Sequence, residues 1–378
     1  MPTDYPPASR TSYPSLAPPE PMPVRLARIE RLLEAARRIA DEGDPLGARA
    51  REVLPAATGL SREGVEYAFR HCLETEPSSE ELAALSASTP PVPRAHVLLS
   101  ANVFIAAHRA IAIALAASAR VKVRASRREP EMAALLHEGS HGAFHLVEDL
   151  APDPGDHVWA YGSDETIAAL GAELPAGVVL HAHGAGIGVA VVEPPAAGPE
   201  RDRALASAAL HLAEDVTAFD QRGCLSPRLC LFAGEVEAAR RFVELLVKQL
   251  ARLEHDVPRG TLSPEELADQ TRYRDSVLYA SALFAAGKGA VGFDEAGGPL
   301  VLPPIGRNLH VQVVGDPAPA LASLERSVAA LGLSVSDSMS ARLAEVLPRA
   351  RRSALGHMQR PPFDGPVDLR GDFAGEVL

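Results

Sequence analysis

Between residues 95 and 182 the chain alternates short β-type runs with helical ones, and both kinds are apolar. The runs AHVLLS (95–100), RVKVRAS (120–126), DHVWAYG (156–162) and GVVLHA (177–182) read as strands. Between them lie a nearly all-apolar helix at about 103–118, a helix carrying LLHEGSH, and a helix opening at Gly162-Ser163. Strands separated by helices pair in parallel, because a parallel neighbour needs a long crossover, and apolar helices then cover both faces of the sheet. This is a nucleotide-binding type of α/β architecture. The longest apolar run, AIAIALAASA at 110–119, is well short of the roughly 20 residues that span a bilayer.

Upstream, residues 24–40 carry Leu26, Ile29, Leu32, Leu33, Ala36 and Ile39 at helical spacing, with charged residues on the other face. SREGVEYAFRHCLE from Ser61 and SSEELAALSA from Ser78, the latter with capping-box spacing, add two more helices before the proline-rich break at 89–94. Downstream, a long helix at about 201–218, a strand RLCLF (228–232) and an amphipathic helix at 235–255 open a second α/β unit reaching to about 345. The proline-rich residues 1–23 lack the apolar stretch of a signal peptide and are expected to be a disordered arm. The expected organisation is therefore an arm (1–23), a cofactor-binding domain with its N-terminal helices (24–215), a catalytic domain (216–345) and a C-terminal segment (346–378) returning to the cofactor domain.

A net charge of −12 argues against a general nucleic-acid binder, which needs clustered cations facing phosphate. Three cysteines, Cys72, Cys224 and Cys230, fit neither a disulfide framework nor a metal knuckle, and a reducing cytoplasm is the natural setting.

Two motifs carry chemistry. HEGSH, with His137, Glu138 and His141, satisfies the H-E-x-x-H spelling of a zinc protease. Gly139 and Gly142 weaken the helix that such a site needs, and His145 does not stand at the spacing of the extended zinc patterns. The stretch is read as a helix C-terminus and its spelling as coincidence, so no metal ligand is expected. DQRGCLSP (220–227) instead puts Cys224 on a loop at the edge of a strand. A thiolate is the nucleophile of choice for acyl transfer, and Arg222 and Arg228 are expected to supply a cationic setting that favours it. Cys230, in mid-strand, is expected to be a small buried hydrophobe.

With these residues in view, the sequence resembles the long-chain acyl-CoA reductase family, the reductase component of the luminescence fatty-acid reductase complex, within the aldehyde dehydrogenase superfamily. DQRGCLSP resembles its active-cysteine motif. SANVFIAAHRAIAIALAASARVKVRASRREP (100–130) is similar to the superfamily's P-W-N segment, helix and K-P-[SA]-E strand end; AYGSDET (160–166) is similar to F-T-G-S, and GHMQRPPFDG (356–365) to the reductases' terminal segment. The resemblance implies an aldehyde-dehydrogenase-like α/β fold, Cys224 as nucleophile, Asn102 as oxyanion donor, and Arg124, Ser126, Gly162 and Ser163 as cofactor-binding residues.

The chain departs from the superfamily at two places. Arg127 stands where NAD-using members have a ribose-binding glutamate, and guanidinium groups there favour the 2′-phosphate of NADPH. HAHGAGIG (181–188) lacks the glutamate that activates water, so an acyl-cysteine would persist for reduction or transfer. His183 in that segment could assist proton transfer, though a histidine in a Gly-Ala loop is more often bland. The resemblance thus implies NADPH-dependent reduction of a fatty acyl-CoA or other acyl thioester to the aldehyde through an S-acyl-cysteine. It also implies a homo-oligomer able to take its acyl group from a carrier or an acyl-protein synthetase. The competing expectations are reduction of an acyl phosphate or short acyl thioester on the same fold, a non-catalytic scaffold for the synthetase, and the zinc protease.

Overall fold

The computed structural model describes residues 20–370. Most of the expected arm (1–23) and the last part of the C-terminal segment lie outside the described residues. The first unit contains α1 (Met22–Ala40), α2 (Pro45–Thr58), α3 (Arg62–His71), α4 (Ser79–Ser88), β1 (Ala95–Leu98), α5 (Ala106–Ala117), β2 (Val121–Arg124), α6 (Glu131–Gly139), β3 (His145–Leu146), β4 (His157–Tyr161), α7 (Asp164–Glu173) and β5 (Val179–His183). Its five strands are all parallel in the order β3-β2-β1-β4-β5, with Val97 paired to Val123 on one side and Trp159 on the other. The strand order reverses between β1 and β4. Such a switch point opens a crevice at the carboxyl ends of the strands, where ligands of parallel sheets bind.

Every residue of α5 except Ala106 is buried, which explains its apolar sequence: it lies between the sheet and α1. Two buried arginines of α1 close its C-terminal end. Arg25 Nε donates to the Ala116 carbonyl at 2.5 Å and Arg28 Nε to the Leu115 carbonyl at 3.1 Å. Cations at a helix C-terminus satisfy free carbonyls and oppose the negative end of the dipole.

The second unit contains β6 (Ile187–Val192), α8 (Pro199–Thr217), β7 (Pro227–Ala233), α9 (Val236–Asp256), α10 (Pro264–Ala280), β8 (Ala282–Ala286), β9 (Gly289–Asp294), β10 (Asn308–Val314), α11 (Pro317–Ser323), β11 (Val328–Ser334), α12 (Asp337–Val346) and β12 (Arg351–Ala354). They form a seven-stranded sheet in the order β12-β11-β6-β7-β10-β9-β8, parallel except for the β8–β9 hairpin. The apolar stripes of α8 and α9, with Leu212, Phe242 and Leu246, cover one face, and Leu321 and Leu343 of α11 and α12 the other.

The boundary expected at 215 lies earlier. The chain leaves the first sheet after β5, and β6 and α8 belong to the second, because Ala190, Val192 and Leu212 share a core with β7 and α9. The C-terminal segment does touch the first unit: Phe363 is buried in its core, and Arg109 Nη1 donates to the Pro362 and Gly365 carbonyls at 2.6 and 3.0 Å. Among the described residues no helix is long and apolar enough to cross a membrane.

Candidate active site

Between α8 and β7 the backbone makes a tight turn at Ala218–Gln221 in which Phe219, Asp220 and Gln221 have φ of 53°, 51° and 65°. Left-handed geometry costs roughly 1–3 kcal/mol for each non-glycine residue and persists only where the surroundings impose it. Here they do. Asp220 accepts from Arg307 Nε at 2.9 Å and from the Gly260 N–H at 2.9 Å, and its carbonyl accepts from the Gly306 N–H at 2.9 Å. Gln221 donates to the Pro227 and Asn308 carbonyls, both at 2.8 Å, and accepts from the Asn308 N–H at 2.7 Å. Asp-Gln before Arg-Gly-Cys is thus the set of side chains that holds the turn presenting Cys224. A Cβ on Gly188 of β6 would overlap the Leu225 carbonyl, so glycine there lets the cysteine loop lie against the sheet.

Cys224 lines a cavity of about 300 Å³ between the two units. Asn102, on the loop after β1, lines it from the other side; the side chain of its neighbour Val103 lies beside Gly223. Gly162 and Ser163, at the end of β4 and the cap of α7, complete its rim, and α5 supplies an apolar wall through Ala106, Ala110 and Ile113. Cys224, Asn102, Gly162 and Ser163 are therefore brought together across two sheets. The expected cationic setting is not there. Arg222 pairs with Glu266 at 2.6 Å, and Arg228 Nε donates to the Pro303 carbonyl at 2.6 Å, so neither serves the thiol. Burial pushes Cys224 up to about 12, the Asp368 carboxylate adds to the effect and Arg370 opposes it. Cys230 is fully buried in β7, as its position implied.

The acyl-CoA reductase (LuxC) family model matches residues 141–329, half of the chain, including the cysteine loop. The chain belongs to the acyl-CoA reductase (LuxC) family. Membership makes it an oxidoreductase of acyl or aldehyde groups. No curated protein sequence matches the chain. Among solved structures it is similar to an oxidoreductase from Marinobacter aquaeolei (14% identity, TM-score 0.66, 94% of this chain and 83% of that one). It is also similar to lactaldehyde dehydrogenase from Escherichia coli (14%, 0.62, 93% and 83%) and to a Mycobacterium tuberculosis aldehyde dehydrogenase complexed with NAD+ (14%, 0.62, 89% and 79%). At these identities the likeness establishes the fold, which is that of aldehyde dehydrogenases.

The remaining cofactor candidates of this acyl-CoA reductase family member stand at the end of β2, away from the cavity wall. Arg124 is half-buried and lies 3.9 Å from Asp149; Ser126 accepts from the Arg128 N–H at 3.2 Å; Arg127 and Arg128 are exposed. Glu129 is turned inward, accepting from the Met132 N–H at 2.8 Å, so no carboxylate from this loop competes with the arginines. At the rim, Ser163 caps α7 by accepting from the Thr166 N–H at 3.3 Å, while Asp164 is drawn aside to accept from the Ala185 N–H at 2.9 Å. A side-chain-free glycine and a helix N-terminus are groups that can hold a dinucleotide's pyrophosphate, and the rim at Gly162 and Ser163 offers both.

HEGSH does not make a site. Its helix α6 ends at Gly139, where a Cβ would press on Ala35 at 2.8 Å and Leu46 at 3.0 Å. Glu138 is held by Arg49 at 2.5 Å, and His141 lies beyond the helix at φ 53°. Among the described residues no group of three His, Cys, Asp or Glu is placed to hold a metal.

Sequence reasoning missed the buried Asp368–Arg370 pair, in which Arg370 Nη2 donates to Asp368 Oδ2 at 2.7 Å. Asp368 lines the cavity, and Arg370 ties it to the Ala185 carbonyl at 2.9 Å. Nothing in the spacing of these residues links them to the cysteine; only the return of the chain end does.

Proposed function

We propose that this protein reduces a fatty acyl thioester, presented on CoA or an acyl carrier, to the aldehyde with NADPH through an S-acyl Cys224. The observation that carries the reading is the convergence of Cys224 and Asn102, from different sheets, on one cavity rimmed by Gly162 and Ser163. Cys224 Sγ adds to the carbonyl carbon, and the carrier leaves as its thiol. The Asn102 amide donates to the oxygen as it gains charge, the arrangement that makes an oxyanion site effective. When bound at the rim, reduced nicotinamide supplies the hydride. The S-acyl linkage then yields aldehyde and frees the sulfur.

The arginines at 124, 127 and 128 support NADPH over NADH, since a bidentate guanidinium suits a phosphate. The α5 wall supports an apolar acyl chain. Leu278, Tyr279 and Phe284, all exposed on α10 and edge strand β8, support a homo-oligomer. An acyl-protein synthetase is the partner from which such an enzyme would receive its acyl group, and a reducing cytoplasm suits its free thiols. The test is spectrophotometric: NADPH and NADH oxidation against acyl-CoAs of graded length, with Cys224→Ala beside the wild type. Turnover that disappears in the variant supports the reading. A wild type inert toward every thioester offered, yet binding a synthetase, leaves the scaffold.

A further inference from the structure

We propose that His183 is the general base that activates Cys224, a role resting on the acyl-transfer reading above. His183 ends β5 and lines the same cavity as Cys224. It is more than nine-tenths buried, and neither ring nitrogen has a hydrogen-bond partner among the described residues. A buried polar group left unpaired costs roughly 1–3 kcal/mol, and in a native fold such an exception calls for an explanation. The ring is nonetheless held: it stacks on Tyr161 of β4 with centroids 4.6 Å apart and planes 10° from parallel. Its orientation is fixed while both nitrogens stay free.

The groups around it define its charge. Tyr161 flanks it on β4 and His181 precedes it on β5; Asp368 and Arg370 act on it from the C-terminal segment, and Cys224 shares its cavity. Burial keeps the imidazole neutral, so it is a proton acceptor at neutral pH, and Asp368 favours the imidazolium once a proton arrives. Burial also keeps the thiol protonated, and the same Asp368–Arg370 pair acts on it. The site thus holds a nucleophile that must lose a proton, an open base, and a carboxylate oriented by Arg370. Nucleophile, base and third group are the components that activate cysteine elsewhere, and here His183, Cys224 and Asp368 line one cavity.

The step balances without another reactant. As Sγ bonds to the acyl carbon, its proton passes to an imidazole nitrogen. When the acyl–carrier C–S bond breaks, the imidazolium returns that proton to the departing thiolate, leaving neutral His183, S-acyl Cys224 and free thiol.

Alkylation of Cys224 by iodoacetamide, followed by intact mass from neutral pH down through about 4, where burial places the His183 titration, tests the proposal without an acyl substrate. In His183→Gln, alkylation should slow by about 10²-fold and lose its dependence on an acidic group. In His183→Ala, added imidazole should restore it, which a packing role would not allow. An unchanged rate and profile in His183→Gln, or no rescue in His183→Ala, overturns the proposal. A wild type that reduces no thioester while its alkylation still depends on His183 refutes the substrate reading and leaves the base in place.

Discussion

Arg307 donates from Nε to Asp220 Oδ1 at 2.9 Å; both side chains are almost wholly buried, and Asp220 stands four residues before Cys224 in the chain. Arg307 also meets Glu254 at 3.2 Å and the Val257 carbonyl at 2.6 Å, so one guanidinium neutralises Asp220 and ties the cysteine turn to α9. Replacing it leaves a buried carboxylate without its counter-charge and removes one of the restraints on three left-handed residues.

Arg307→Ala should therefore destabilise the protein by about 3–5 kcal/mol, the range for breaking one side of a buried ion pair. Urea denaturation monitored by fluorescence checks this, and a loss below about 1 kcal/mol would show that the turn holds itself. Asp220→Asn retains an acceptor for the Gly260 N–H and should cost less.

Asn102 lines the cavity, and its amide has no hydrogen-bond partner among the described residues. Asn102→Ala should slow acylation of Cys224 by about 10²–10³, with thermal stability little changed because the side chain is exposed. Single-turnover transfer from a radiolabelled acyl-CoA measures the step directly; an unaltered rate removes Asn102 from the oxyanion site.

At the end of β2, Arg127 is exposed and has no carboxylate partner among the described residues, a setting that suits a 2′-phosphate. Arg127→Glu should raise KM for NADPH by about 10–100-fold, the value of a charge-assisted hydrogen bond turned to repulsion, and leave KM for NADH nearly unchanged. Equal effects on both cofactors would place the phosphate elsewhere.

Much of this was legible in sequence because the signals were local. The apolar strand-helix alternation gave the first sheet, since a parallel sheet buried on both faces leaves no polar period to confuse. DQRGCLSP marked the cysteine loop. What escaped was non-local. The boundary at 215 was misplaced because the Gly- and Ala-rich stretch through 188 reads as a loop and hides β6, and only the pairing of β6 with β7 and β11 carries it, with α8 packed on it, into the second unit. Arg222 and Arg228 flank Cys224 in sequence, yet Glu266 and the Pro303 carbonyl, from later elements, take them away. The groups that do set the thiol's surroundings, Asp368 and Arg370, arrive from the chain end.

Asp215 of α8 governs that return. It accepts from the Gly356 N–H at 2.6 Å and the Met358 N–H at 3.0 Å, fixing the segment that continues to the cavity through Gln359 and Pro361. Burial outweighs these donors and pushes its carboxyl from the usual range up to about 7. The folded state therefore binds the proton more tightly than the unfolded chain. The resulting stabilisation is complete below about pH 4 and is lost as pH rises through about 7. Asp215→Asn removes the titration while keeping one acceptor oxygen. The stability of wild type relative to Asp215→Asn should accordingly fall by up to about 4 kcal/mol between those limits and level off above them. Urea denaturation at several pH values measures the difference. A gap that stays constant with pH would mean that the two backbone donors hold Asp215 ionised throughout, and that the C-terminal segment is anchored by charge.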